Sequence, residues 1–511
     1  MRRWRAVPEP EMSQPRLPLS STIQASTGPV RRWAGIPYAS AERFEPARAV
    51  DVLPGQALTA GPAPAQPLPY YEDPGAPVSE DCLNLTVWAP QEAGEEPLPV
   101  VVWIYGGGFE HGANSSAFSD ASALAGTGGV IAVAPNYRTG VLGFLSLSHL
   151  GGYNGVSNLG LRDAVLALRW IRRHIAAFGG DPSRVTVVGE SAGAFIAGAL
   201  PAIDEAAGLY SGLVLASGGM SRVVPGWRAK EMTAAFLREL GVEHDPQALR
   251  RADLADLFAA QPTIAVSDIG QRNSTAPQAL GIVDDSAEPT GVLAMHPMRA
   301  LEAGRAALTP ILVCSTRDEI SAFRNPEVFD PVDLDAVRSE IEDLGVERTQ
   351  AEALVTHYAS LPEAPTGEAG STPGLVRQRM LTDWIYRLPA ARAALAQAAA
   401  GGTAYLAMTG RADGAQAGHA CDGPALLGSS WPQSTPAMKA RDAQVRGWVL
   451  DMATDGEPGW PALPAGQAPA PERVEELRLG QGAVVAVAGE DFDAAGDYRM
   501  MTELWHGVGR P

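Results

Sequence analysis

The chain has 511 residues, 46% of them hydrophobic, with 58 acidic against 39 basic side chains and a net charge of −19. That apolar fraction can fill a large buried core, and so acidic a chain disfavours nucleic acid and anionic membranes as partners. The three cysteines, Cys82, Cys314 and Cys421, are odd in number and lack metal-ligand spacing, which argues against a disulfide framework.

The N-terminal stretch MRRWRAVPEPEM lacks the apolar core of a secretory signal. No apolar run is long enough to span a bilayer. A soluble protein of a reducing compartment, the cytoplasm, is expected, with residues 1–26 as a poorly structured extension. Beyond it, short apolar runs alternate with helical patterns. In chain order, strands are predicted at 99–104 (PVVVWI), 129–134 (GVIAVA), 184–189 (RVTVVG), 212–216 (GLVLA), 310–315 (PILVCS) and 403–408 (TAYLAM). Runs so continuously apolar match parallel strands buried on both faces. Between the second and third, residues 160–177 place Leu161, Val165, Leu168, Ile171 and Ile175 at helical spacing, and Gly179-Gly180-Asp181-Pro182 ends that helix. The alternation predicts an α/β protein with a doubly wound sheet.

Two segments differ. Residues 219–308 and 324–400 carry helical stretches such as 228–241 and 332–345, with few strand signals. They are read as helical excursions forming a cap over the strand ends. The Pro/Ala-rich pieces 61–77 and 461–472 read as surface loops, and 55 glycines and 42 prolines imply many turns.

The chemistry is concentrated at residues 185–193, VTVVGESAG. A β-branched run meets Gly-x-Ser-x-Gly, followed by small residues able to open a helix, which is the pattern of a nucleophile elbow. Gly189 and Gly193 lack the Cβ atoms that would clash in so tight a turn, and the turn presents Ser191 Oγ at the strand end. A serine hydroxyl needs a base to take its proton. In this arrangement an acid and then a histidine follow the serine along the chain. The predicted strand PILVCS is followed by Asp318 and Glu319, and composition does not choose between them. Of the later histidines, His357 and His506 sit in helical patterns. His419 alone follows a strand through a flexible loop, TGRADGAQAGHACDG. A glycine-rich loop, Tyr105-Gly106-Gly107-Gly108-Phe109, follows the strand 99–104 and can bring backbone N–H groups up to a carbonyl oxygen. No Lys-Ser/Thr follows the glycines, so a P-loop fails, and the spacing does not fit a dinucleotide fingerprint.

With these residues in place, the chain resembles the type-B carboxylesterases, the cholinesterase-like branch of the α/β-hydrolases, from about residue 27 to 506. The resemblance rests on GIPYA (35–39), Arg43-Phe44, SEDCLNL (79–85), WIYGGGF (103–109), NYRTGVLGFL (136–145) and the long stretch 158–193. It implies a single α/β-hydrolase domain over 1–511, with a large, mostly parallel sheet flanked by helices. It implies Glu319 as the triad acid, with Asp318 as a structural neighbour. It puts the oxyanion N–H groups on Gly107, Gly108 and Ala192, and a supporting hydrogen bond on Ser217. It also implies buried ion pairs Arg43–Glu80 and Arg138–Asp163. Many relatives have a cysteine upstream of Cys82 to form a disulfide; this chain has none, so Cys82 is expected to be a free thiol.

Some positions depart from the family. Ile320 stands where glycine usually follows the acid, and Ala216 where glutamine usually precedes Ser217. The choline-stacking tryptophan of cholinesterases corresponds to Glu72, beside Tyr70 and Tyr71, so a quaternary-ammonium site is not expected. Glu72 reads first as solvated loop. Candidate pocket residues are Phe109, Glu190, Phe323, Tyr71 and Glu72, and Glu190 could hold water or tune His419. The expected reaction is hydrolysis of small to medium alkyl or aryl esters through an acyl-enzyme, with no metal or cofactor. The same groups would serve amide or carbamate hydrolysis or acyl transfer, whereas a non-catalytic binding role is disfavoured because Ser191, Glu319 and His419 are all present.

Overall fold

A computed structural model describes residues 21–51, 53, 59–68, 72–92, 94–361, 372–465 and 477–509. Its centre is one ten-stranded sheet. In chain order the strands are β1 (Thr22–Ala25), β2 (Gly28–Pro37), β3 (Asn84–Pro90), β4 (Leu98–Ile104), β5 (Ile131–Pro135), β6 (Gly180–Glu190), β7 (Gly212–Ala216), β8 (Ile311–Thr316), β9 (Ala404–Thr409) and β10 (Val485–Ala488). Across the sheet they run β1-β2-β3-β5-β4-β6-β7-β8-β9-β10. From β5 to β10 every pairing is parallel, and β1, β2 and β3 are joined antiparallel.

All six predicted strands are present within a residue or two, except that β6 begins earlier, at Gly180. Strands β5, β7, β8 and β9 are buried along their whole length, which is why they read as continuous apolar runs. Four strands lay outside that pattern. In β2, arginines and glycines interrupt the apolar residues, and β10 is a half-exposed edge. The expected extension 1–26 is corrected at its end. Thr22–Ala25 pairs with β2 through Thr22↔Arg31 and Ala25↔Gly28, closing a two-residue hairpin at Ser26-Thr27. Alternating Ile23 and Ala25 supply the inward face. Residues 1–20 lie outside the described residues.

Helix α1 (Leu159–His174) continues as a 3₁₀ turn to Phe178 and stops at Gly179, whose φ of 91° suits glycine. Helix α2 (Ala192–Ala199) starts directly after β6 and packs on β4, β6 and β7. Residues 324–400 are largely helical, whereas 219–308 mix short helices with loops and one short parallel ladder between Val223–Val224 and Ile282–Val283. The second segment ends differently from its prediction. Helix α3 (Leu388–Ala399) is a buried, alanine-rich helix packed on β8 and β9, so it flanks the sheet rather than capping it. Small alanine side chains let the helix approach the sheet closely. Among the described residues no helix is long and apolar enough to cross a membrane.

Two ion pairs brace the loops near the sheet. Asp163 on α1 receives Arg138 Nε and Nη2, each at 2.8 Å, and the Arg138 N–H at 3.1 Å. Both side chains are buried. Arg43 and Glu80 pair through 2.8 and 2.5 Å contacts, but this pair is only half-buried, less than expected. Asp163→Ala leaves the Arg138 charge buried and unpaired, and should lower stability by about 3–5 kcal/mol in denaturant unfolding. Glu503→Ala, which breaks a pair with Arg478 that is about half exposed on both sides, should cost no more than about 1 kcal/mol.

Candidate active site

The site forms where five loops leave the carboxyl ends of β4, β6, β7, β8 and β9. In an open α/β sheet this is where a crevice forms. The turn after β6 is forced by close backbone contacts. A Cβ on Gly189 would lie 2.3 Å from the Gly193 carbonyl oxygen, and one on Gly193 would lie 1.9 Å from that of Ile104. Only glycine fits either position. Between them Ser191 adopts φ 52° and ψ −122°, an unusual conformation for a side-chain-bearing residue. Its N–H is tied to the Ala216 carbonyl at 2.9 Å, which fixes the turn to the end of β7.

Ser191 Oγ lies 2.8 Å from His419 Nε2, and His419 Nδ1 lies 2.7 Å from Glu319 Oε2. Glu319 is fully buried, and its other oxygen accepts from Ser217 Oγ and the Thr316 N–H, both at 2.7 Å. The expected support from Ser217 is therefore present. The choice between the two adjacent acids is also visible. Asp318 is engaged elsewhere, by Arg411 Nε and Nη2 at 2.7 and 2.6 Å and by the Ala417 N–H at 3.1 Å. His357 lies in a helix, and His506 lies two residues beyond the end of the C-terminal one. Ile320 is buried and donates its N–H to Thr382 Oγ1 at 3.2 Å.

The glycine loop after β4 sits against this turn. A Cβ on Gly106 would lie 2.9 Å from the Ser191 Cβ and 2.4 Å from Glu190 Oε2. Gly107 and Gly108 have φ of 107° and 65°, conformations that favour glycine. Tyr105, stacked on Tyr137 at 4.5 Å, anchors the loop's start, and the Tyr137 hydroxyl donates to the Tyr105 carbonyl at 2.7 Å. Among the described residues the N–H groups of Gly107, Gly108 and Ala192 have no hydrogen-bond partner, so they are free to donate to a bound oxygen.

The pocket candidates separate. Glu190 is buried with Oε1 3.4 Å from His419 Nε2. Burial pushes its carboxyl up to about 7; the His419 charge opposes this, while Asp422, Glu319 and Glu72 add to it. Burial also pushes His419 down, but the hydrogen bond and charge of Glu319, with the charge of Glu190, outweigh it and leave the imidazole above its ordinary value. Phe323 is 40% exposed with its ring 4.9 Å from that of His419, so it borders the site. Phe109 is a correction. Its ring has no exposed surface and packs edge-on against Phe144 at 4.9 Å, because a φ of 68° turns the side chain into the core. Glu72 is another. It is half-buried rather than solvated, accepts from the Phe118 N–H at 3.4 Å, and is pushed up to about 6 by burial. Tyr71 lies outside the described residues.

Three neighbours had no local signal in the sequence. Tyr386, buried in a single π-helical turn at Asp383–Arg387, places its ring 4.7 Å from that of His419. Such turns recur at functional sites. Asp422, three residues after His419, is buried and accepts from Thr409 Oγ1 at 2.5 Å. Arg272 reaches the glycine loop, where its Nη2 would lie 3.3 Å from a Cβ on Gly108. Tyr386 and Arg272 come from distant parts of the chain.

Comparison with known proteins agrees with this architecture. A family model described as the carboxylesterase family matches residues 20–455. The para-nitrobenzyl esterase of Bacillus subtilis (strain 168) is 35% identical over 383 residues, which is 72% of this chain and 72% of that protein. The fumonisin B1 esterase of Sphingopyxis macrogoltabida is 38% identical over 58% of this chain and 50% of its own length. Among solved structures, a PNB esterase superposes with a TM-score of 0.71 at 30% identity, covering 86% of this chain and 93% of its own. A carboxylesterase of Geobacillus stearothermophilus gives 0.75 at 29% identity, covering 94% and 99%. The chain therefore belongs to the carboxylesterase family, with an α/β-hydrolase fold, and is a carboxylic ester hydrolase.

Proposed function

We propose that the chain hydrolyses small to medium alkyl or aryl esters through a covalent acyl-enzyme on Ser191. The observation that carries this is the unbroken chain of hydrogen bonds Ser191–His419–Glu319, at 2.8 and 2.7 Å, built on the strained turn after β6. His419 Nε2 takes the hydroxyl proton as Oγ attacks the ester carbonyl. Glu319 holds the proton on Nδ1 and stabilises the imidazolium that forms. The N–H groups of Gly107, Gly108 and Ala192 bind the tetrahedral oxyanion, and loss of one such donor typically costs roughly 2.7–4 kcal/mol. His419 then protonates the departing alcohol, and water repeats the sequence on the acyl-enzyme. Phe323 and Tyr386 flank the imidazole and wall the site from solvent. The helical excursions 219–308 and 324–387 cover it. No step calls for a metal or cofactor, and the substrate is a small molecule. A cytoplasmic site of action is supported by three free thiols, two of them buried.

Ser191→Ala should retain the fold and lose turnover of p-nitrophenyl esters by about a millionfold. An organophosphate ester should add once to the wild type, and peptide mapping should place the adduct on Ser191. Turnover surviving in Ser191→Ala, or an adduct elsewhere, would overturn the assignment.

The pH profile tests Glu190. Turnover requires neutral His419, so kcat/KM should fall as pH drops through the raised pKa of the imidazole. The negative charge of Glu190 is one of the causes that raise it. Glu190→Gln removes that charge, lowers the imidazole pKa and should move the acid limb of the kcat/KM profile to lower pH. An unmoved limb, or one moved upward, would contradict this coupling.

A further inference from the structure

Seven described arginines are less than one-tenth exposed: Arg31, Arg138, Arg222, Arg377, Arg387, Arg392 and Arg441. Six of them donate hydrogen bonds to carboxylates or backbone carbonyls. Arg222 has none among the described residues, and its Nη2 is buried without a partner. Burying an uncompensated charge costs several kcal/mol, so such groups are normally paired.

The nearby charges do not satisfy it. Glu110 is the acid on the glycine loop, and both its oxygens are taken. Oε1 accepts from Arg272 Nη2 at 2.6 Å and Oε2 from Gln261 Nε2 at 2.8 Å. Arg222 is held instead between aromatic faces, with its guanidinium carbon 5.8 Å from the rings of Phe109 and Phe195. Phe109 ends the glycine loop, and Phe195 is on α2, one turn beyond Ser191. Burial, and then the charge of Arg272, push Arg222 down to about 10, still protonated at neutral pH. Both arginine charges act on the Tyr386 phenol, whose ring packs against His419. Arg222 and Arg272 also share one recess, with Ser221, Val224, Asn273 and Pro277 in its wall. A surplus positive charge thus stands beside the glycine loop, with Arg222 against the Phe109 ring and Arg272 beside Gly108.

We propose that Arg222, with Arg272 beside it, binds a carboxylate carried by the ester substrate, and that this chain prefers anionic esters over neutral ones of the same shape. The proposal rests on the reading of Ser191 as the esterase nucleophile and adds the substrate class. A carboxylate fits a guanidinium fork through two parallel hydrogen bonds. It would supply the counter-charge that the protein withholds.

The test compares esters that differ only in a terminal methyl or carboxylate. Monoethyl glutarate against ethyl pentanoate places the charge on the acyl side, and 4-acetoxybutanoate against butyl acetate places it on the alcohol side. In one of these pairs the wild type should favour the anion in kcat/KM by about tenfold to a hundredfold, and that pair identifies the side. Arg222→Met should bring the ratio close to one, and Arg222→Lys, which keeps the charge but not the fork, should retain part of it. Hydrolysis of the neutral esters without an anion preference in either pair would overturn carboxylate recognition alone. So would an anion preference that survives in Arg222→Met. Hydrolysis of none of the four esters would overturn the esterase reading as well. The wild-type ratios decide the matter even if the methionine variant does not fold.

Discussion

The close approach of backbone to backbone around Ser191 is the constraint on which the rest of the site depends. Four glycines make it possible. Side chains at Gly189 and Gly193 would strike main-chain atoms, one at Gly106 would strike the serine itself, and one at Gly218 would lie 2.7 Å from the Ser191 carbonyl oxygen. With that space empty, β6 can reverse into α2 within one residue, and the strain in the Ser191 dihedrals is held by the sheet. The anchor is a pair of crossing hydrogen bonds, Ser191 N–H to the Ala216 carbonyl and Ser217 N–H to that of Cys314, which tie the ends of β6, β7 and β8 together. The acid on the loop after β8 and the histidine on the loop after β9 then fall in line because their strands are neighbours in the same parallel order.

Charge of both signs is arranged around this turn. Glu319, Glu190 and Asp422 are buried close to His419, and together their charges raise the imidazole pKa despite its burial. Such an arrangement suits a base that must accept a proton and hold it until the alcohol leaves. Elsewhere, Arg222 and Arg272 approach the glycine loop, with one carboxylate, Glu110, paired to Arg272. On the proposed mechanism, an oxyanion held by Gly107 and Gly108 would have these arginine charges nearby, and the imidazolium would have the three carboxylates.

The buried parallel strands were legible because burial on both faces keeps their runs apolar, throughout β7 and up to the ends of β8 and β9, where Ser315, Thr316 and Thr409 are buried. Of the strands that escaped reading, β1, β2 and β10 are partly exposed, whereas β3 is buried throughout but carries Asn84 and Thr86 in its run. In β2, Arg31 and Gly35 break the apolar run, yet Arg31 is accommodated by donating to the Pro90 carbonyl of the neighbouring strand. Helix α3 looked like the end of a cap excursion because alanine is compatible with either setting. Its contact with β8 and β9 is a matter of where the chain returns, not of its composition. Phe109 and Glu72 were misplaced for a related reason. The direction of each side chain follows from a backbone dihedral or a neighbouring N–H that lies outside its own sequence window.

The sequence by itself singled out the candidate nucleophile, the loop glycines and the chain order of candidate acid and base, because a strand-to-helix turn without clashes admits very few residue types at fixed spacing. It also favoured His419 over the two helical histidines. Composition alone left Asp318 and Glu319 equivalent, and the tertiary structure separates them. Arg411, 93 residues away, claims one, and Ser217 with His419 claims the other. Only the fold brought Tyr386 to His419 and Arg222 and Arg272 to the glycine loop. Their roles come from contacts between remote segments, and the packing of helices over strand ends, rather than any local pattern, sets which charges face the ester and which remain without a partner.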